Sequence, residues 1–194
     1  KVARTGFAAY LHPERYVYLP GDPVQITLRT LDPNDKPVTA EGLATIYRRE
    51  YVEDKDPQQP GNQPGWNDTR LFTRAASTNE LGKGTIEFSA EREGYFYVTF
   101  ETRDQWGGEI RGETTVFVCS SDSNAIGYRA NGVEIILDRT SYERGETAQV
   151  LIATARPGVA VWLGIEGETA HSSQVVLMDG PVKLVPIEIR EDFE

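Results

Sequence analysis

The sequence predicts an all-β chain folded as two antiparallel β-sandwiches in tandem, and three observations predict it. A short pattern occurs twice, as Tyr18-Leu19-Pro20-Gly21-Asp22-Pro23-Val24-Gln25-Ile26 and as Tyr142-Glu143-Arg144-Gly145-Glu146-Thr147-Ala148-Gln149-Val150. Both copies read Tyr-x-x-Gly-acid-x-apolar-Gln-apolar. Each sets a glycine where a tight turn needs positive φ and runs at once into apolar/polar alternation, the pattern of a turn feeding a half-buried strand. Alternation of this kind dominates the chain, with no helical stripe. Strand-like segments also fall into two groups, each opened by one copy of the repeat.

The elements follow in order. Gly6 to Leu11 reads as a first strand. Pro23 to Thr30 sets Val24, Ile26 and Leu28 on one face and Gln25, Thr27 and Arg29 on the other. Asp32-Pro33-Asn34-Asp35 is a turn ahead of Lys36-Pro37-Val38. Leu43–Tyr51, Arg70–Ala75, Gly84–Ala90, Gly94–Thr102 and Glu109–Cys119 read as further strands, with Gly82-Lys83-Gly84 as a turn. Roughly seven strands over about 115 residues is the count of an immunoglobulin- or fibronectin-type sandwich. Between the third and fourth strands, Asp54 to Asp68 holds Pro57, Pro60, Gly61, Pro64 and Gly65 and reads as a long loop.

Ser120 to Gly132 is polar, ends in the Asn131-Gly132 turn signal and reads as the linker between domains 1–119 and 133–194. Val133–Asp138, Ala148–Ala153, Ala160–Glu166, Ser173–Leu177 and Lys183–Ile189 are the strands of the second domain, with Asp179-Gly180 as a hairpin turn. Five strands in about 60 residues leave sheet edges open, so the second domain is expected to be incomplete, its remainder lying beyond Glu194.

Composition narrows the function. The 194 residues are 39% apolar, enough for ordinary cores and too much for wholesale disorder. A formal charge of −10, with the 20 basic residues dispersed, argues against nucleic acid. No apolar run approaches the ~18 residues that cross a bilayer, so no membrane insertion is expected. Lacking an initiator Met and a signal peptide, the chain reads as a mature or excised fragment. Cys119, the one cysteine, excludes an internal disulfide and ends a Thr-Val-Phe-Val strand, where a buried thiol is the ordinary occupant.

No catalytic constellation emerges, and neither a cofactor nor a metal is expected. His12 and His171 stand far apart without metal-ligand spacing and read as surface residues. Ser172 beside His171 lacks a nucleophile elbow. The acidic clusters Asp32–Asp35 and Glu53–Asp56 match no calcium loop, and no glycine loop cradles phosphate. Asn67-Asp68-Thr69 satisfies the glycosylation sequon within the long loop. Of the tryptophans, Trp162 in Val159-Ala160-Val161-Trp162-Leu163 reads as core or semi-core, leaving Trp66 and Trp106 as surface aromatics and a candidate recognition loop. The structural residues are Gly21 and Gly145 for the turns, with Tyr18 and Tyr142 as packing anchors.

The run Ile135 to Ile152, with Asp138-Arg139 leading into Tyr142-Glu143-Arg144-Gly145-Glu146-Thr147-Ala148-Gln149-Val150, resembles the opening of the domain that precedes or carries the bait region in bacterial alpha-2-macroglobulin-like proteins. The continuation Ala155 to Gly167 is similar as well. The first domain resembles the macroglobulin domain before it, through Tyr18 to Gly21, Asp32 to Val38, Glu93-Gly94-Tyr95-Phe96-Tyr97-Val98 and Asp104 to Gly108. The resemblance covers nearly the whole chain, and motif order carries it more than any single motif.

The resemblance implies a non-enzymatic scaffold fragment of an exported protein, periplasmic or at the cell surface, that traps proteases after a bait segment is cut. Its partners would be neighbouring macroglobulin domains of the same polypeptide and, through the parent protein, target proteases. Such proteins often carry a Cys-x-Glu-Gln thioester; here Cys119 is followed by Ser120-Ser121-Asp122, so the thioester is absent from this segment. No bait segment is assigned, its place being at or beyond Glu194. The alternative is an adhesin or carbohydrate-binding sandwich using Trp66 and Trp106.

Overall fold

In Pro23–Leu31, strict alternation of buried and exposed positions leaves Val24, Ile26 and Leu28 with no exposed surface, so period-two patterning selects the strand and its buried face together. The computed structural model describes residues 5–53, 65–166 and 170–190. Among the described residues every regular element is a strand: β1 (Ala8–Pro13), β2 (Val17–Tyr18), β3 (Pro23–Leu31), β4 (Glu41–Val52), β5 (Gly65–Ser77), β6 (Lys83–Ser89), β7 (Gly94–Arg103), β8 (Glu109–Val118), β9 (Val133–Leu137), β10 (Thr147–Thr154), β11 (Ala160–Glu166), β12 (Ala170–Leu177) and β13 (Val182–Glu188).

The fold is all-β, two tandem antiparallel sandwiches of immunoglobulin-like type. In the first, sheet β1-β3-β6 faces sheet β2-β8-β7-β4-β5. Their inner faces enclose one core that includes Ile26, Leu28, Ile46, Ile86, Val98, Phe100 and Val116. In the second, sheet β13-β10-β9 faces the two-stranded β11-β12, and Val150, Ile152, Leu163, Val176 and Met178 fill the space between. The ladders are antiparallel except for β2, which pairs parallel to β8 through Val17↔Phe117 and Tyr18↔Val118. The chain between β1 and β3 thereby crosses from one sheet to the other.

Three expectations are corrected. Of the loop expected at Asp54–Asp68, residues 54–64 lie outside the described residues, and Gly65–Asp68 belong to β5, paired along β4 from Val52↔Gly65. The sequon Asn67-Asp68-Thr69 is therefore on a strand. Trp162 is not core: it is 76% exposed, because Val161 and Leu163 take the inward positions of β11 and the alternation turns Trp162 out. Asp179-Gly180 is not a hairpin turn, since β12 and β13 belong to different sheets and the dipeptide carries the chain between them.

The segment 120–132 is packed against both sandwiches. Ile126 and Ala130 are buried, the Gly127 carbonyl accepts from Tyr51 N at 2.8 Å, and Ala155 N donates to Gly132 O at 2.9 Å. An added Cβ at Gly180 would fall 2.0 Å from the Asn124 carbonyl oxygen, so only glycine lets the chain pass there.

Candidate functional site: the duplicated turn and the seam between the sandwiches

The two Tyr-x-x-Gly-acid segments share three bonds that shape the turn. Arg15 N donates to the Tyr18 hydroxyl at 3.0 Å, and Arg139 N donates to that of Tyr142 at 3.1 Å. Gly21 and Gly145 hold φ of 86° and 82°, and their amides donate to Ala90 O and Ile189 O at 2.9 and 2.8 Å. A side-chain carboxylate closes each turn: Asp22 accepts from Leu19 N at 3.1 Å and Glu146 from Glu143 N at 2.7 Å. That amide bond, joined by Arg139, holds the Glu146 carboxyl below its ordinary value.

The copies differ in what the tyrosine donates to. Tyr18 donates to the Gln25 carbonyl at 3.3 Å, whereas Tyr142 donates at 2.7 Å to the carboxylate of Asp138. Asp138 is only 3% exposed, and the same oxygen accepts from Gln149 N at 2.8 Å, while Arg139 lies 3.5 Å from the other. Its counterpart in the first copy, Glu14, is exposed. The Asp138 carbonyl also accepts from Tyr16 N at 2.8 Å, so the two repeats meet directly.

Around that bond runs a second apolar core. Val17, Tyr95 and Phe117 of the first sandwich, Ile126 and Ala130 of the connection, and Leu151, Ala153, Val182 and Leu184 of the second form one buried cluster with Cys119. Adjacent residues of β10 thus serve different cores, Leu151 the seam and Ile152 its own sandwich. Phe117 stacks on Tyr95 with ring centroids 4.9 Å apart, and Tyr128 meets Phe117 edge-on at 4.9 Å. Tyr128 also donates to Glu134 at 2.5 Å, and Arg129 of the connection pairs with Glu53 at the end of β4.

Trp66 stands on β5 beside the seam, its ring 5.7 Å from Tyr128 and 5.3 Å from Tyr51. Trp106 is 74% exposed in the turn between β7 and β8, whose carboxylate Asp104 accepts from Gly6, Trp106 and Gly108 amides at 2.8, 2.9 and 2.7 Å. Because β7 begins beside Trp66 and ends before Trp106, the two tryptophans occupy opposite ends of the sheet and share no platform. His12 is exposed on β1, and the side chain of His171 lies outside the described residues. Among the described residues no three His, Cys, Asp or Glu side chains gather as a metal site. No described helix is long and apolar enough to cross a membrane.

Cys119 has no exposed surface, and burial pushes its thiol up to about 12. It is expected to resist a disulfide reagent in the native chain and to react once the chain is unfolded. Burial likewise raises Tyr18, Tyr128 and Tyr142. Stability from groups with raised values is fully present below their unfolded values and is lost as pH climbs through the folded ones, here from about pH 9 upward. In acid the sign reverses. Glu93, held low by the Ser120 hydroxyl, and Asp104 and Glu146, held low by backbone amides, contribute stability that is lost as pH falls below about 4.5. Melting temperatures measured from acid to alkali are expected to show a plateau between those limits, and a maximum outside it would contradict these assignments.

An added Cβ at Gly145 would meet nothing within 4 Å, so substitution there acts through φ alone. Gly145→Val is expected to cost about 1–2 kcal/mol, and Gly145→Asn much less, since asparagine tolerates the left-handed region. An unchanged melting temperature for Gly145→Val would count against this turn as a conformational constraint.

The arrangement defines a pair of immunoglobulin-like sandwiches joined by a shared apolar core. No protein-family profile matches the chain, and no curated protein is significantly similar to it. Among solved structures, the native conformation of alpha-2-macroglobulin from Escherichia coli is similar at TM-score 0.45 and 14% identity, over 98% of this chain and 13% of that one. Salmonella alpha-2-macroglobulin reacted with methylamine gives TM-score 0.47 and 12% identity, over 98% and 13%. The sporulation control protein Spo0M of Bacillus subtilis gives 0.42 and 10%, over 94% and 90%. The chain thus spans 13% of the two macroglobulin chains.

Proposed function

We propose that this chain is a non-catalytic scaffold segment of an exported alpha-2-macroglobulin-like protease trap, its two sandwiches moving as one body when the parent polypeptide rearranges after cleavage elsewhere. The observation that carries the reading is the Tyr16–Asp138 bond set within the seam, which ties the two repeat turns together. A buried interface of aromatic and aliphatic side chains transmits displacement instead of absorbing it. The order of sequence motifs along both sandwiches supports the same reading. Cys119 has no part in a covalent step, being buried and outside any Cys-x-Glu-Gln sequence.

The test uses the parent polypeptide. After incubation with a protease, the reading expects a cut outside the two sandwiches, a change in hydrodynamic radius, and protease retained in the complex with activity on small peptides but not on proteins. Methylamine treatment beforehand separates a covalent trap, which releases one thiol, from a non-covalent one. Protease that elutes free and fully active on protein substrates sinks the proposal.

A further inference from the structure

Where the connection enters the second sandwich stands the only Asn-Gly pair in the sequence, Asn131-Gly132, and both residues are exposed. Gly132 holds φ of 115°, and an added Cβ there would meet nothing within 4 Å. Its carbonyl accepts from Ala155 N at 2.9 Å, but its own N–H has no acceptor among the described residues, and the Asn131 side-chain amide has no partner there either. The other described asparagines are better guarded. Asn79 Oδ1 accepts from the Leu81 and Lys83 amides at 2.9 and 3.1 Å, and Asn67 lies within the β4–β5 ladder. Asn34 and Asn124 precede Asp35 and Ala125, whose Cβ atoms crowd the amide nitrogen that follows each asparagine.

We infer that Asn131-Gly132 is a self-modifying site, which converts to isoaspartate and thereby loosens the seam between the sandwiches. The Gly132 nitrogen loses its proton to solvent base and attacks Asn131 Cγ. A C–N bond forms, the Cγ–Nδ2 bond breaks, and the side-chain nitrogen takes up a proton and leaves as ammonia. Water then opens the five-membered succinimide at either carbonyl. Attack at Cγ gives aspartate on an ordinary backbone, and attack at the Asn131 main-chain carbonyl gives isoaspartate, with the chain running through Cβ and Cγ. Water is the only co-reactant and no electrons are transferred.

The place of the site gives the change its effect. Ala130 is 3% exposed within the shared core, and Gly132 O is held by Ala155 of the second sandwich. An isoaspartyl link puts an extra backbone carbon between these two fixed points. It also sets a carboxylate beside Asn131 N, which donates to Glu134 at 3.4 Å. Glu134 in turn accepts from the Tyr128 hydroxyl at 2.5 Å, and the Tyr128 ring packs edge-on against Phe117. Repulsion between the two carboxylates draws Glu134 away from Tyr128 and so reaches the aromatic contacts of the seam. The inference does not rest on the parent protein's trapping proteases.

The test ages the 194-residue chain in warm, mildly alkaline buffer and digests samples with trypsin. The fragment Ala130–Arg139 contains no other asparagine, so its isoaspartyl and aspartyl forms, separated by chromatography and marked by the mass gain from amide to acid, report this site alone. Asn131 is expected to convert about tenfold faster than Asn79 or Asn124, because its attacking nitrogen is both unbonded and uncrowded. Cys119, buried in the same core, is expected to react with a thiol reagent about tenfold faster in the aged chain than in the fresh one. Asn131→Gln, whose longer side chain would have to close a six-membered ring, is expected to keep both its fragment mass and the protection of Cys119 under the same ageing. Conversion at Asn131 no faster than at Asn79 would overturn the inference outright. Converted chain with Cys119 as protected as before would overturn the loosening of the seam, and so would equal exposure of Cys119 in aged Asn131→Gln.

Discussion

Asp138→Ala is expected to lower the free energy of unfolding by about 2–4 kcal/mol, whereas the equivalent change in the first copy, Glu14→Ala, stays within about 0.5 kcal/mol. The contrast follows from burial. The Asp138 carboxylate accepts from the Tyr142 hydroxyl and the Gln149 amide while almost wholly removed from water, so truncation takes the Gln149 amide's acceptor away and leaves the Tyr142 hydroxyl only the Arg139 carbonyl at 3.0 Å. Glu14 is exposed, and its backbone amide keeps its bond to Gln25 O whatever its side chain. Asp138→Asn retains an acceptor and should recover most of the loss. Denaturant melts of the three variants decide the matter: equal costs at positions 14 and 138 would show that the buried network contributes nothing beyond the turn.

Phe117→Ala should cost still more, about 3–5 kcal/mol, because a ring 5% exposed is removed from between two aromatic neighbours and the seam cannot collapse around the void without moving one sandwich. The loss should also change the kind of unfolding. With the shared core weakened, the sandwiches are expected to melt in two steps, and Cys119 should begin to react with thiol reagents before the second. A single transition with Cys119 still protected would mean that the contacts around Tyr16 and residues 120–132 suffice to hold the pair.

Much of this was written plainly in the sequence. Val24, Ile26 and Leu28 announce their strand, and the duplicated Tyr-x-x-Gly-acid segments announce two related units, because turn chemistry and period-two burial are local properties. Trp162 was hidden by its surroundings: in Val159-Ala160-Val161-Trp162-Leu163 every residue is apolar, so alternation has no visible phase and only the opposite sheet decides which residues turn inward. Asp179-Gly180 marks a bend without saying which strands it joins. β2 is too short to carry a pattern, and the seam draws Tyr95, Ile126 and Leu151 from distant segments. Ser120 to Gly132 reads as the connection between domains, and its polar composition does not show that Ile126 and Ala130 are buried in the seam. The role of Asp138 had no signal beyond its place before Arg139, since a buried acceptor and a surface acid are spelled alike.

The parallel pairing of β2 with β8 has a kinetic side. Val17 and Tyr18 find their ladder partners only when Phe117 and Val118 exist, and Tyr16 waits further still for Asp138. At ribosomal rates of about 5–20 residues per second, the hundred or so intervening residues take roughly 5–20 s to appear. Throughout that interval the first repeat is tied down on one side only, by its own short-range strands. Closure of such distant contacts belongs to the slow end of folding, where unpaired edges are exposed to other chains. The bonds that join the finished pair therefore make the first repeat wait, during synthesis, for partners that the ribosome has still to add.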